Sequence, residues 1–274
     1  MQIFDGHCDV LYNGRDINLL RNNGQYDIER AMSAGYMGQV FAAFGKGIPD
    51  QLASLAAYAG TGKFCVVPAV EGCGEAVGLD DISSYIGLGA RLVGLTWNLD
   101  NSFAGGCEGS GTGLTALGRG AVELCGEHNV IMDLSHASER TFYDVSAMLN
   151  GPFAVTHTCC GALFGHRRNL SDGQLRAAAN SGGVVGIAYC TLFLGGASIC
   201  DVTAHIEHAV KTAGEDHVGL GSDFNGTDDL PDGISEVRDT VKILEKLSLP
   251  ERVKEKVAGG NWMRLLGITH CGGG

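Results

Sequence analysis

The segment Ile3-Phe-Asp-Gly-His7-Cys-Asp9-Val10 is an apolar β-strand pattern that ends in two side chains able to bind a metal ion. Side chains two residues apart on a strand point the same way, so His7 and Asp9 converge at its carboxyl end. Four later segments also close an apolar run with one such side chain: Glu71, His136, His157 and Asp223. One strand-end histidine alone is more often a hydrogen-bonding loop residue. The repeated pattern instead predicts one shared site.

Apolar runs alternate with amphipathic segments eight times, which is typical of an α/β fold with a single (β/α)8 TIM-like barrel. We predict strands near 2–7, 38–43, 64–70, 91–96, 130–135, 152–156, 183–189 and 217–222. Helices are predicted at 115–127, 138–149, 171–180 and 201–213, with N-caps at Ser171-Asp172 and Asp201. Extra C-terminal helices are predicted at 235–247, 250–257 and 260–266. In such barrels the chemistry lies at the carboxyl ends of the strands, where all the candidate residues fall.

The five candidate ligands, His7, Asp9, Glu71, His136 and His157, form a donor set of three imidazoles and two carboxylates, which suits zinc and, less specifically, manganese, iron or cobalt. Five protein ligands are too many for one catalytic zinc, which keeps three and leaves a position open. We therefore predict two zinc ions, one held by His7 and Asp9 and one by His136 and His157, with Glu71 bridging them. Two ions about 3.5–4 Å apart can share a water and lower its pKa.

The composition indicates one domain without an anionic partner. The chain has 274 residues, 45% of them hydrophobic and 18% charged, which is enough to bury one large core. We predict a metal-dependent hydrolase barrel over residues 1–271, followed by a glycine tail at 272–274. The net charge is −12 and the longest basic run is Arg167-Arg168. Both features disfavour nucleic acid and anionic membrane surfaces as partners.

The start of the chain and its cysteines indicate a compartment. Met1-Gln-Ile-Phe-Asp-Gly-His7 places charge where a secretory signal would need an apolar core. No apolar span of about 18 residues follows in the sequence. Ten cysteines without an export signal are expected to be reduced thiols. We predict a cytoplasmic protein.

Other metal-capable side chains have weaker positions. Cys8 faces away from its two neighbours on the strand and is expected to pack in the core. Cys159 and Cys160 follow a candidate ligand into a loop, where a thiolate ligand or a cysteine nucleophile stays open. His205 and His208, three apart on a predicted helix, are a minor alternative metal pair. All remaining histidines are predicted to be surface or structural residues: His128, His166, His205, His208, His217 and His270.

The ordered motifs resemble those of the membrane (renal) dipeptidase family of binuclear zinc peptidases, a group of amidohydrolase-like barrels. The likeness runs through nearly the whole chain. It rests on Asp5-Gly-His7-Cys-Asp9, Val70-Glu71-Gly72, Met132-Asp-Leu-Ser-His136, Thr156-His157-Thr158, His166-Arg167-Arg168-Asn169-Leu170-Ser171-Asp172, Gly219-Leu-Gly-Ser-Asp223-Phe224-Asn225-Gly226 and Gly260-Asn261-Trp262-Met263-Arg264. The resemblance implies that the substrate is a small peptide, an L,L dipeptide or one with a D-residue on its C-terminal side. Relatives are often dimeric, so a homodimer is an open alternative.

The resemblance also implies roles for two residues that hold no metal. A hydroxide bridging the metals would attack the peptide bond. Arg168 would polarise the scissile carbonyl or hold the oxyanion, because its fixed, permanently charged fork matches such groups. Asp223 would bind the substrate's free amino group or relay a proton to the leaving amine.

The chain departs from the family pattern at Trp97, where the best-known animal members have a histidine that contacts substrate. An indole cannot carry charge or transfer a proton, so the departure affects specificity more than the reaction. Asn98 or Asn101 is the candidate for the missing polar contact. Asn225 stands where the family has aspartate, and this change is expected to remove one charge behind the site.

Two alternatives to a dipeptidase stay open. One is a related amidohydrolase acting on an N-acyl amino acid, a lactam, or a γ-glutamyl or Cys-Gly biosynthetic intermediate, and Trp97 motivates it. The other is a catalytically silent metal-binding protein, which is disfavoured because the chain retains all seven site residues implied by the resemblance.

Overall fold

Eight parallel strands form the centre of the fold. The structure, a computed structural model, describes residues 1–13, 18–58 and 64–269, so the predicted tail at 272–274 lies outside it. The strands are β1 Ile3–Cys8, β2 Tyr36–Phe44, β3 Cys65–Glu71, β4 Leu92–Gly94, β5 Ile131–Met132, β6 Ala154–Thr158, β7 Val184–Ile187 and β8 Val218–Leu220. They are hydrogen-bonded in the order β5-β4-β3-β2-β1-β8-β7-β6.

The two ends of this order meet at a seam between β5 and β6. In the described chain one parallel bridge joins these edges, between Asp133 and Ala154. Next to it, the Leu134 N–H donates to the Ala154 carbonyl at 2.9 Å. The Thr156 N–H donates to the side chain of Asp133 at 3.0 Å. The sheet therefore closes into the predicted (β/α)8 TIM-like barrel, and the closure depends partly on side chains.

The helices pack around the strands and follow most of the predicted amphipathic segments. They are α1 Ile28–Ser33, α2 Ile48–Leu55, α3 Leu79–Gly87, α4 Ala116–Glu127, α5 Glu139–Met148, α6 Asp172–Asn180, α7 Thr191–Leu194, α8 Ile199–Ala213, α9 Thr240–Lys246, α10 Glu251–Glu255 and α11 Asn261–Leu266. Across the residues that the structure describes, none of the helices has the length and apolar character needed to cross a bilayer. The cytoplasmic location stays a prediction.

The two predicted helix N-caps had different outcomes. Ser171 is the N-cap of α6, and its hydroxyl accepts the Gln174 N–H at 3.3 Å, as predicted. The predicted cap at Asp201 was wrong, because α8 is capped by Ser198. Asp201 is instead the third residue of that helix, and its carboxylate accepts the Ser198 N–H at 2.9 Å. A capping box therefore starts the helix before the position that the apolar periodicity indicates.

The last helix joins the barrel through a buried tryptophan. A π-helical turn at Lys256–Gly260 leads into α11, so the predicted 250–257 and 260–266 helices form one continuous run. Trp262 is fully buried and its indole N–H donates to the Leu220 carbonyl at 2.8 Å. A Cβ added at Gly6 or Gly219 would lie 2.3 Å from the indole. Glycine on these two strands thus makes room for the tryptophan.

Candidate metal centre and active site

The predicted site residues come together at the carboxyl ends of five strands. His7 lies near the end of β1 and Glu71 is the last residue of β3, while His157 lies within β6. The loops that follow β1, β5 and β8 supply Asp9, His136 and Asp223. All six side chains are buried, with residue exposures of 1–8%.

Glu71 lies at the centre of the group and presents its two oxygens to different histidines. Its Oε2 is 3.2 Å from His7 Nε2. Its Oε1 is 2.6 Å from His136 Nε2 and 3.7 Å from His157 Nε2. The two oxygens of the carboxylate therefore face His7 on one side and His136, with His157 farther off, on the other.

Donor atoms are close to one another both on each side of Glu71 and across it. The Nε2 atoms of His136 and His157 are 2.9 Å apart. Donor atoms of His7, Asp9 and Asp223 lie within 4.8 Å of one another, as do those of His7, Glu71 and His157. Asp223, to which the resemblance assigns a role toward substrate, thus also lies close to His7 and Asp9.

Two orphaned atoms show that the group fits a divalent cation. Among the described residues, the buried Asp9 Oδ1 has no hydrogen-bond partner, and His7 Nε2 makes no hydrogen bond although carboxylate oxygens of Asp9 and Glu71 lie 3.3 and 3.2 Å away. Buried polar atoms are nearly always paired, and a bound ion is one of the accepted explanations for an exception. Imidazole nitrogens and carboxylate oxygens are also the donor atoms that zinc and related metals accept.

The two histidines on one side of Glu71 are neutral. Burial, together with the Arg168 charge, lowers the pKa of His136 to about 4. Burial and the charge of His7 also lower the pKa of His157 well below its ordinary value. Neutral imidazoles keep a free nitrogen lone pair, which is the form that binds metals.

Negative charge accumulates on the other side of the site. Burial lowers the pKa of His7, but the carboxylates of Asp9 and Glu71 outweigh it and raise that pKa well above its usual value. Burial raises the pKa of Asp223 to about 6, against the opposing effect of the His7 charge. Three buried carboxylates around one histidine create an environment that favours a cation.

Arg168 is a buried cation held beside the histidines. Its guanidinium donates to the carbonyls of Ser135 and His157, the latter at 3.2 Å. Its Nη2 is 3.2 Å from His136 Nε2, and its Cζ lies 5.3 Å from the ring centroid of Phe193. Several contacts therefore fix one permanent positive charge at the edge of the cluster.

A family model matches residues 46–271 of the chain, and the family is described as membrane dipeptidase, peptidase family M19. The chain belongs to the membrane dipeptidase family. Membership confirms the resemblance carried by the motifs and the predicted enzyme class, a metallo-dipeptidase.

Curated relatives of this dipeptidase family member cover most of its length. An uncharacterized protein in the pqqA 5' region of Klebsiella pneumoniae is 33% identical over 219 residues, which is 73% of this chain and 80% of that protein. An uncharacterized dipeptidase of Schizosaccharomyces pombe is 34% identical over 227 residues, or 77% of this chain and 55% of that protein.

Solved structures of M19 peptidases share the barrel. The metallopeptidase named dipeptidase AC superposes with a TM-score of 0.86 and 26% identity, covering 98% of both chains. A metallopeptidase from Rhodobacter sphaeroides, bound to a phosphinate mimic of the dipeptide L-Ala-D-Ala, gives a TM-score of 0.85 and 26% identity. It covers 98% of this chain and 99% of its own.

Beside these residues, the membrane dipeptidase barrel has a cavity of about 530 Å³, which is lined by acidic and by aromatic side chains. We call Tyr12, Phe44 and Trp97 the aromatic wall. The ring centroids of Tyr12 and Phe44 are 5.3 Å apart, and those of Phe44 and Trp97 are 5.4 Å apart. Trp97 is 46% exposed, and its ring centroid is 6.1 Å from that of His136.

The two asparagines expected near substrate have different positions. Asn98 lines the cavity, and its Oδ1 is 2.7 Å from His136 Nδ1. Asn101 is held within its own loop, since its amide donates to the Leu95 carbonyl at 2.7 Å. Its Oδ1 accepts the Phe103 N–H at 2.9 Å. The structure therefore separates Asn98, which contacts a site histidine, from Asn101, which shapes the loop.

The cysteines near the site point into the core. Cys8 is fully buried, as predicted, and burial raises its pKa well above the ordinary value. The thiol of Cys159 donates to the Ala188 carbonyl at 3.5 Å, and that of Cys160 donates to the His205 carbonyl at 3.4 Å. Burial also raises the pKa of both thiols, that of Cys160 to about 12. These packed thiols disfavour the cysteine-ligand and cysteine-nucleophile alternatives.

The alternative pair on α8 does not converge. His205 is buried, and its Nδ1 accepts the Cys160 N–H at 2.9 Å while its Nε2 lies 3.1 Å from the Leu194 carbonyl. His208 instead lies 2.8 Å from Asp172 Oδ1. Both nitrogens of His205 are occupied, so its role is structural. His270 lies outside the described residues.

Proposed function

We propose that the chain is a zinc-dependent dipeptidase that hydrolyses L,L dipeptides and those with a D-residue at the C-terminal position. The observation that carries the proposal is Glu71, whose two oxygens face nitrogen donors on opposite sides. The Rhodobacter sphaeroides relative bound to a mimic of L-Ala-D-Ala supports the D-residue.

In this proposal the site holds two zinc ions. His7 and Asp9 would hold one, His136 and His157 would hold the other, and Glu71 would contribute an oxygen to each. When bound, two such ions polarise a carbonyl and supply an activated water at neutral pH. The orphaned His7 Nε2 and Asp9 Oδ1 would then have a partner.

Two residues would act directly on the dipeptide. The Arg168 guanidinium is already fixed by main-chain carbonyls, so it can donate to the scissile carbonyl oxygen without reorganising. The Asp223 carboxylate, buried beside Asp9, can accept the substrate's ammonium or hold a proton at Oδ for the leaving amine. The free amino group thus becomes a recognised feature of the substrate.

The aromatic wall would contact a substrate side chain. An exposed indole offers a flat apolar surface, and aromatic pairs contribute about 0.5–1.5 kcal/mol beyond the area they bury. We expect Trp97→Ala to lower kcat/KM for phenylalanine-containing dipeptides about 2- to 10-fold relative to Ala-Ala. Leu99→Ala, at a nearby residue that is 63% exposed, is the matched control. Equal losses for all dipeptides would remove Trp97 from specificity.

Metal analysis combined with hydrolysis tests the proposal. The purified protein is assayed for metal content and for cleavage of L,L and L,D dipeptides, before and after chelation and with zinc added back. We expect about two zinc ions per chain, consistent with a two-metal site, and cleavage that zinc restores. Metal-bound protein that cleaves no dipeptide in the panel would contradict the substrate, and protein without metal would contradict the site.

A second candidate is an amidohydrolase acting on a blocked amine, and Trp97 is the observation that favours it. Trp97 replaces a histidine of the best-known animal members, so the recognition of the substrate differs at this wall. Comparing each free dipeptide with its N-acetylated form distinguishes the two functions. Preference for the acetylated form would favour the second candidate, because Asp223 is proposed to bind the free ammonium.

A further inference from the structure

A buried hydroxyl links two of the proposed metal ligands. Thr156 is fully buried at the seam between β5 and β6. Its Oγ1 lies 3.2 Å from His7 Nδ1 and 3.1 Å from His157 Nδ1. The same oxygen is 2.6 Å from Asp133 Oδ2. One hydroxyl therefore contacts histidines on two strands and a carboxylate on a third segment.

The direction of each hydrogen bond follows from counting protons. A carboxylate oxygen only accepts, so the short contact means that the Thr156 hydroxyl donates its one proton to Asp133. The Ser135 hydroxyl is 3.0 Å away but donates to Asp133 Oδ1 at 2.6 Å. The remaining lone pairs of Thr156 can only accept. Both histidines must then carry a proton on Nδ1.

The carboxylate that orients this hydroxyl is itself held in place. Asp133 Oδ1 accepts the Ser135 N–H at 3.2 Å and the Thr156 N–H at 3.0 Å. These main-chain bonds lie at the β5–β6 seam, so the orientation of the carboxylate is fixed by the closed barrel. His136 is oriented separately, through Asn98 Oδ1 at 2.7 Å from its Nδ1.

We propose that Thr156, oriented by Asp133, is a positioning residue that keeps Nδ1 of His7 and His157 protonated, so that both Nε2 atoms face the metal centre. Partners of this kind fix the ring orientation and the protonated nitrogen of metal-binding histidines. This inference rests on the proposed function, because it takes both histidines as ligands. It assigns no contact with substrate to Thr156.

Zinc affinity tests the assignment. Zinc-loaded wild-type protein and variants are titrated with a chromophoric chelator that competes for the metal. We expect Thr156→Val, which keeps the shape and removes the hydroxyl, to bind zinc about 10- to 100-fold more weakly. Thr156→Ser, which keeps the hydroxyl, should remain close to wild type.

Thr203→Val is the matched control for loss of a buried threonine hydroxyl. Thr203 is 6% exposed, and its hydroxyl donates to the Cys200 carbonyl at 3.0 Å in α8, away from the site. This variant should keep wild-type zinc affinity. Wild-type affinity in Thr156→Val, or an equal loss in Thr203→Val, would overturn the assignment.

Nitrogen-15 spectra of the histidine side chains provide a readout that needs no substitution. In the full-length chain after chelation, Nδ1 of both His7 and His157 should be protonated. His157 is the decisive residue, because the carboxylates of Asp9 and Glu71 favour a doubly protonated His7 whatever Thr156 does. A bare Nδ1 on either residue overturns the assignment, even if Thr156→Val does not fold. A wild-type chain that shows both Nδ1 protons but binds no zinc would keep the hydroxyl arrangement and overturn the proposed function instead.

Discussion

Asp223 combines an unusual backbone with a buried carboxylate. Its φ is +65°, in the left-handed region that few non-glycine residues adopt, and it directly precedes the buried Phe224. Backbone strain of this kind is concentrated at functional sites. The side chain is 8% exposed and close to Asp9. This conformation places the carboxylate beside the proposed ligands without making it part of the Glu71 contacts.

We expect Asp223→Asn to leave the metal content unchanged and to lower kcat about 10²- to 10⁴-fold, the usual contribution of a positioned acid or base. The amide keeps the size of the side chain but cannot hold the proton. Asp228→Asn, at an exposed neighbour, is the control. The measurements are metal analysis and dipeptide hydrolysis. Loss of metal in Asp223→Asn would show instead that Asp223 is a ligand.

Arg168 can be tested against its own neighbour. Arg168→Lys keeps the charge but loses the planar fork, so we expect kcat/KM to fall about 10²- to 10³-fold, as for removal of one oxyanion donor. Arg167 is exposed, and Arg167→Lys should have little effect. Steady-state kinetics on one good dipeptide is the measurement. Equal kinetics for the two variants would place Arg168 outside the reaction.

The candidate ligands could be predicted from sequence because each follows an apolar run, and parallel strands bring their carboxyl ends to one face. The hydrogen-bond partners of these ligands could not be predicted where they lie far away in the sequence. The contact between Thr156 and His7 joins residues 149 positions apart, and nothing local to either residue signals it. Asn98 was predicted as one of two candidates for a polar contact with substrate, but its bond to His136 depends on how two loops pack.

At the scale of elements, α1 is held by a charged N-cap. The Asp27 carboxylate accepts the Arg30 N–H at 2.8 Å and the Arg30 Nε–H at 2.7 Å. Arg30 also contacts Glu236, with Nη1 and Oε2 3.2 Å apart. Burial alone would raise the pKa of Asp27, but the hydrogen bonds from Arg30 and Asn22 lower it below its ordinary value. Folding therefore favours the ionised form.

We expect Asp27→Ala to lower the free energy of unfolding by about 1 kcal/mol at neutral pH. Asp27→Asn should lose less, because asparagine is also a good N-cap. The lowered pKa means that the charge stabilises the fold above the unfolded pKa of about 3.9, and that this contribution is lost as pH falls through the lower folded pKa. Urea unfolding of wild type and Asp27→Asn across this range measures it. A difference that grows towards acid pH would contradict the sign.

Element boundaries were less predictable than element order. Strand β5 was predicted at 130–135 but forms only Ile131–Met132, because beyond it the Asp133 side chain takes main-chain bonds that a longer ladder would use. Helices α1 and α2 have six and eight residues, so their apolar periodicity is too short to stand out. Tertiary contacts rather than local propensity set these limits.

For the whole molecule, the cation proposed at the mouth of the barrel should also contribute to stability. Asp9, Glu71 and Asp223 are three buried carboxylates grouped around one histidine, His7. A ligand that binds only the folded state stabilises it by about 4 kcal/mol at a concentration 1,000 times its Kd. We therefore expect chelation to lower the thermal midpoint and zinc to restore it. Calcium, with its preference for oxygen ligands, is the control.

An unchanged midpoint after verified metal removal would show that the barrel tolerates the buried acids alone. Thermal unfolding followed by circular dichroism, with metal content measured on the same samples, distinguishes the two outcomes.

Fold class and barrel topology were already predicted by the eightfold alternation of strands and helices in the sequence, since a parallel strand needs a crossover connection. The effect of metal binding on stability could not be predicted from the sequence, because it depends on how deeply the three carboxylates are buried.

The seam between β5 and β6 is the place where the barrel is expected to open locally. In the described chain one bridge, Asp133 to Ala154, joins strand edges that carry His136 on one side and His157 on the other. Local opening starts where backbone pairing is sparse. Separation of β5 from β6 would pull the two histidines away from each other. A transient gap in the barrel sheet and the escape of a bound ion would then be the same event. Hydrogen exchange at the seam would therefore report the metal's residence time.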